Sequence, residues 1–230
     1  MLFDVIRSGD FSLLTILPRI ISSIIIIFFT LPMHEWGHAF VADKLGDPTP
    51  RYQGRLTLNP FAHIDYFGAL MILLVGIGWA KPVQTNSRYF KNIKRDVALT
   101  AAAGPLMNII LAFIFMILSN LFYVLFNVSS ANVTLYEVVY FIFIYYIRIN
   151  IYLAVFNLIP IPPFDGSKIL FSFLPTNLYI KVMQYERYFK LIVLLFLFST
   201  IGSDILNNVS IFIENALWTI ADLPFKSILG

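Results

Sequence analysis

Residues 20–42 read IISSIIIIFFTLPMHEWGHAFVA. At 1.5 Å per residue this run is long enough to cross the roughly 30 Å hydrocarbon layer of a bilayer as one helix. Its second half carries His34, Glu35 and His38. Polar and ionisable groups in an apolar helix are costly in lipid unless paired or liganded, so the cluster marks a functional site as well as a span. The stretch is too long for a cleaved signal peptide, and the chemistry sits in its distal half.

The composition extends this reading to the whole chain. Of 230 residues 59% are hydrophobic and 13% are charged. A soluble fold carries about a quarter of its residues charged, so soluble enzymes and nucleic-acid modules are excluded. The chain contains no Cys, which removes disulfides, thiolate metal sites and cysteine nucleophiles together. Any metal must be held by His, Asp or Glu.

The expected fold is an all-α polytopic membrane protein in a single domain, 1–230, with about four transmembrane helices. The spans fall at about 20–42, 97–126, 137–160 and 190–213. Between the first two lies a re-entrant or short β-hairpin region, with 66–80 too short and too glycine-rich to cross and read as re-entrant or interfacial. The tail at 216–229 reads as interfacial. Residues 43–96 carry Lys44, Arg51, Arg55, Lys81, Arg88, Lys91, Lys94 and Arg95, whereas 127–136 carry no cation. Cations concentrate on the cytoplasmic side, so the first connection is cytoplasmic and both termini are outside.

His34-Glu35-Trp36-Gly37-His38 is H-E-x-x-H. Histidines at i and i+4 project from one helical face, where two imidazoles can hold one Zn²⁺. The Glu beside the first His is placed to take a proton from water activated by that ion. With three His in the chain, chance would produce this pattern on the order of once in a thousand such sequences. Counting inward from Asp43, His38 lies about 8 Å and His34 about 14 Å below the cytoplasmic surface. Pro32, just before the motif, is expected to kink the helix and shift His34.

A catalytic zinc needs a third protein ligand and an open fourth position. The downstream candidates are His63, Asp65, Asp96, Glu137, Asp165, Glu186, Asp204, Glu214 and Asp222. Asp165 stands out, because Pro160, Pro162 and Pro163 break the third span just before it and Gly166 permits a sharp turn. The bland alternative is a carboxylate that caps a turn. Asn157, near the end of an apolar span, needs a partner for its amide, either another helix or the reacting substrate. Asn108 reads as packing first and site second, beside Ala101-Ala102-Ala103-Gly104. His63 reads as a structural loop residue.

His34 to His38 in an early span, followed by Asn157-x-x-Pro-x-Pro-x-x-Asp165-Gly166 at the end of a later one, resembles the site-2 protease family of intramembrane zinc metalloproteases. Gly104-Pro105-Leu106-Met107-Asn108 and Asn59-Pro60-Phe61-Ala62-His63-Ile64-Asp65 match as well, over about residues 20–175. The resemblance is to the minimal form of that family, in which no PDZ or CBS domain is expected. The resemblance implies one Zn²⁺ per chain on His34, His38 and Asp165, Glu35 as general base, and Asn157 holding the substrate or the oxyanion. Implied partners are transmembrane protein substrates and the lipid bilayer, with no nucleic acid. The implied setting is the bacterial cytoplasmic membrane, with the active site toward the cytoplasm and the substrates membrane-bound regulators or leftover signal peptides. A zinc transporter or a non-proteolytic zinc scaffold is the competing class, although the spans supply few ligands along a path.

Two further expectations concern structure. Residues 51–59 alternate weakly and carry β-formers, which predicts an edge strand able to pair with an unwound substrate. Arg148 and Asp204 lie at similar depths counted from Pro160 and Lys190, which predicts an ion pair tying the last helix to the core.

Overall fold

The computed structural model of the chain describes residues 9–75, 78–126, 133–175, 178 and 199–226. In chain order the helices are α1 (Leu13–Lys44), α2 (Thr49–Tyr52), α3 (Tyr66–Val75), α4 (Ile93–Leu125), α5 (Val133–Asn157), α6 (Asp165–Phe173) and α7 (Thr200–Ala221). Among the described residues α1, α4 and the Leu135–Asn157 part of α5 are long and apolar enough to cross a bilayer. The fourth expected span is only partly in view, since 190–198 lie outside the described residues. From Thr200 onward α7 is helical as far as Ala221, so 216–221 form its last turns.

The helix α1 starts earlier than the apolar run suggests. Asp10 accepts the Ser12 N–H at 3.0 Å and the Thr15 hydroxyl at 2.6 Å, which ties down the first turn. In the middle of α1, Ile26–Thr30 form a π-helical turn, closed by the Leu31 N–H donating to the Ile26 carbonyl. Pro32 is the physical cause. It has no N–H to offer the Phe28 carbonyl and its ring crowds that oxygen, so the preceding turn widens by one residue. The proline expected to kink the helix is thus absorbed by a wider turn. Thr30, fully buried, fixes that turn by donating its hydroxyl to the Tyr146 oxygen of α5 at 2.8 Å.

Two apolar clusters hold the helices together. Ile26, Ile27 and Leu31 of α1 pack with Ile64, Ile72 of α3 and Tyr146 of α5. Ala112 and Met116 of α4 pack with Ile147, Ile151 and Val155 of α5 and with Leu206 and Ala221 of α7. The ten residues of α3 span about 15 Å, half of a hydrocarbon layer, which accords with a segment that does not cross. Gly68 of α3 and Gly78 meet backbone to backbone, and a Cβ at either would strike the other strand of the return.

Two expectations are corrected. Residues 51–59 do not form a strand: Thr49–Tyr52 are helical, the Asp47 carboxylate accepts the Thr49 N–H at 3.0 Å, and the chain turns at Gly54 with φ +66°. Pro50 in the first turn suits a helix start and overrides the weak β alternation. Among the described residues the β content is one isolated antiparallel bridge, Ile64 with Ala80. Arg148 pairs with Glu214 at 3.3 Å rather than with Asp204. The depth count had started the last helix at Lys190, whereas the described helix starts at Thr200, and that ten-residue offset is the one between Asp204 and Glu214.

Candidate metal centre

The last three turns of α1 carry His34 and His38 on the face that packs against α4. Two glycines permit the approach. A Cβ on Gly37 would lie 3.1 Å from the Ala103 carbonyl oxygen, and a Cβ on Gly104 would strike the Nε2 atoms of both histidines. The stripe Ala101, Ala103 and Gly104 is therefore a packing surface, as its small residues suggest, and also the floor of the site.

Asp165 reaches the same point from the far end of the fold. The chain leaves α5 at Asn157, turns through Pro160, Pro162 and Pro163, and re-enters helix at Asp165 as the first residue of α6. Gly166 allows the return, since a Cβ there would strike the carbonyls of Leu158 and Ile159. Asp165 Oδ2 lies 3.5 Å from His34 Nε2 and 3.1 Å from His38 Nε2, and the two imidazole nitrogens are 3.2 Å apart. All three residues are buried.

That triangle has the size of a zinc site. Ligand atoms at about 2.0–2.2 Å on tetrahedral directions stand about 3.4 Å from one another. The tautomer agrees as well. His38 Nδ1 donates to the Thr100 carbonyl at 2.7 Å, which leaves the Nε2 lone pair facing inward. A lone pair and a carboxylate oxygen converging on one buried point repel unless a cation sits between them, so the donor set fits Zn²⁺ with one position open. Asp165 Oδ1 accepts from Lys168 Nζ at 3.0 Å, which turns Oδ2 toward the histidines. The i,i+3 spacing in Asp165-Gly-Ser-Lys168 was a signal for this contact in the sequence.

Glu35 is buried beside the triad and not part of it. Its Oε2 accepts the Val83 N–H at 2.9 Å, across 48 residues of sequence. Val83 belongs to an irregular stretch held at its other end by Asp47, a fully buried carboxylate whose Oδ2 accepts the Asn86 N–H at 2.6 Å. Asp47 folds back onto α1, its own N–H donating to the Ala42 carbonyl. Neither Val83 nor Asp47 stood out in the sequence, and the Asp-Pro-Thr-Pro run at 47–50 was the only hint of the second.

The remaining candidates separate. Asn157 and Asn108 both line the cavity of about 500 Å³ into which His34, Glu35, His38 and Asp165 open. Asn157 Nδ2 donates to the Leu153 carbonyl of its own helix at 2.9 Å. His63 is fully buried, with Nε2 2.9 Å from the Thr57 carbonyl and its own carbonyl accepting the Lys81 N–H at 2.7 Å. It ties the loop after α2 to the stretch leading to Val83 and belongs to no metal-binding group among the described residues. Glu186 lies outside the described residues.

Comparison with known proteins agrees with this geometry. Peptidase family M50 matches residues 22–137 and 126–200. The chain is 37% identical over 195 residues to the "Putative zinc metalloprotease YwhC" of Bacillus subtilis, covering 84% of this chain and 86% of that protein. It is 46% identical over 70 residues to the "Putative zinc metalloprotease MJ0611" of Methanocaldococcus jannaschii, covering 30% of this chain and 31% of that one. It is 29% identical over 142 residues to the "Putative zinc metalloprotease Rip2" of Mycolicibacterium smegmatis, covering 60% of this chain and 51% of that one. No solved structure matches the chain. A family match spanning most of the sequence, over a buried His–His–Asp triangle with a glutamate beside it, makes the chain a zinc metalloprotease of peptidase family M50, the site-2 protease family.

Proposed function

We propose that the chain is an intramembrane endopeptidase that hydrolyses peptide bonds within the transmembrane segments of other proteins. The observation that carries this reading is the position of the triad. His34 and His38 lie inside α1, a helix long enough to cross a bilayer, and the cavity beside them is walled by α4 and α5, which are also of spanning length. Zinc bound there would supply a Lewis acid for the scissile carbonyl and acidify water. Glu35 would take the proton of the attacking water at the carboxylate oxygen not held by Val83. The water oxygen bonds to the carbonyl carbon, the C–N bond breaks, and Glu35 returns the proton to the leaving nitrogen. Asn157 adds a donor for the oxygen on which negative charge develops. By the cation count the site opens toward the cytoplasmic half of a bacterial membrane.

The hold on Glu35 also argues against a transporter or a storage scaffold. A carboxylate kept beside the triad by a backbone amide is placed for proton transfer and withheld from the metal, which transport does not require. Val83→Pro removes that N–H. It should leave zinc content unchanged and lower kcat by about ten-fold or more, the order of one hydrogen bond to a charged group, while Val83→Ala keeps both near wild type. Equal activity in Val83→Pro would mean that the amide does not position the base.

The reading itself is tested with zinc-loaded protein in lipid nanodiscs and a single-span substrate. Mass spectrometry should place the new termini within the cytoplasmic half of the apolar segment, and Gly or Asn near the cut should speed cleavage by easing unwinding. Cuts confined to soluble flanks, or no cleavage by fully zinc-loaded protein, would overturn it.

A further inference from the structure

We propose that Asn108 is a substrate-binding residue whose carboxamide pairs with a backbone peptide group of the unwound transmembrane segment. The proposal rests on the intramembrane reading above and names one contact that such a site needs.

Asn108 is 1% exposed on α4, and its Oδ1 has no hydrogen-bond partner among the described residues. A buried acceptor without a donor is costly, and native proteins keep few of them without a reason. A helix interface alone gives none here. The buried positions one and two turns from it, Ala101, Gly104, Pro105, Leu111 and Ala112, are apolar, and an alanine at 108 would pack without the cost. Asn120, also on α4, has a partner, donating to Asp222 at 2.8 Å. Asn150 Oδ1 is likewise without a partner, but Asn150 donates to the Tyr146 carbonyl at 2.9 Å and does not line the cavity, whereas Asn108 does.

Position supplies the reason. Asn108 is one turn beyond Gly104, about 6 Å along the axis from the glycine against which both metal-binding imidazoles rest. It lines the same cavity as Glu35 and Asp165. The second amide of that cavity, Asn157, already donates to its own helix. A peptide bond can be cut only after its helix unwinds, and unwinding at membrane depth strands N–H groups that water does not reach. An acceptor without a donor then meets donors without an acceptor. A carboxamide carries an acceptor and donors in one plane, as a peptide group does, and adds no charge to a dry site.

The test uses zinc-loaded full-length protein carrying Glu35→Gln, so that a synthetic single-span peptide is captured without being cut. A series of peptides replaces one backbone N–H at a time by an ester oxygen around the cleavage site. Asn108→Leu, of similar volume, and the smaller Asn108→Ala are added to the Glu35→Gln background. With Asn108 present, an ester at one position should weaken capture by about ten-fold, the order of one buried hydrogen bond. With either Asn108 substitution the amide peptide should be captured about ten-fold more weakly, and the ester should cost nothing further. Zinc content should be unchanged throughout. Undiminished capture by both Asn108 variants, an ester profile identical with and without Asn108, or loss of zinc in both variants would overturn the assignment. If the protein with native Glu35 cuts no transmembrane peptide at all, the protease reading fails and the assignment fails with it.

Discussion

Glu35→Gln is expected to keep one zinc per chain and to lose hydrolysis by about a hundred- to ten-thousand-fold. The substitution removes only the ability to take a proton, which general-base catalysis values at roughly 10²–10⁴ in rate. Little else changes, because a glutamine oxygen still accepts the Val83 N–H where Glu35 Oε2 now does. Glu35 lies outside the His34–His38–Asp165 group, so the donor set for zinc is intact. Metal analysis of the purified variant beside a cleavage assay checks both halves. Activity within ten-fold of wild type would remove Glu35 from the chemistry, and loss of zinc would make it a ligand or a structural support.

Gly104→Ala adds one carbon on a residue that is not itself a ligand and is expected to empty the site. The new Cβ would occupy space taken by the Nε2 atoms of His34 and His38, the atoms that face the metal. The helices have no slack to part, since Gly37 already brings α1 against the Ala103 carbonyl. Zinc affinity should fall by about a hundred-fold and hydrolysis with it, the upper range for disturbing the surroundings of metal ligands. Helix content should be unchanged, as alanine is the better helix former. Retention of wild-type zinc affinity by Gly104→Ala would show that α4 is not the floor of the metal site.

The parts of the site that were legible in the sequence are those whose geometry is local. His34 and His38 meet because four residues make a helical turn, and Asp165 was marked by the proline break before it and the glycine after it. The contacts that were not legible join distant segments through backbone atoms. Val83 reaches Glu35 by its N–H, and His38 reaches the Thr100 carbonyl, so no side-chain pattern announces either. The errors have local causes too. At 51–59 a weak period-two alternation was read without the Asp47-Pro-Thr-Pro50 helix start before it, and Arg148 was matched with the wrong acid because the start of the last helix was misplaced by ten residues. The three helices of spanning length were visible from their apolar content alone, and their order of packing was not.

The wide turn at Ile26–Thr30 has a bearing on how such a chain can diverge. One residue taken up in a π-helical turn advances the helix by about 100° relative to an uninterrupted one. The two halves of α1 thereby face different neighbours: Ser22 donates to the Ile142 carbonyl of α5, whereas His34 and His38 look to α4 and α6. Mutations that re-aim the amino-terminal half, toward a different lipid thickness or a different docking partner, need not rotate the histidines. A single-residue deletion within 26–30 would restore one continuous screw and couple the two faces again. The turn works as a clutch between the anchoring of the amino-terminal half and the register of the histidines.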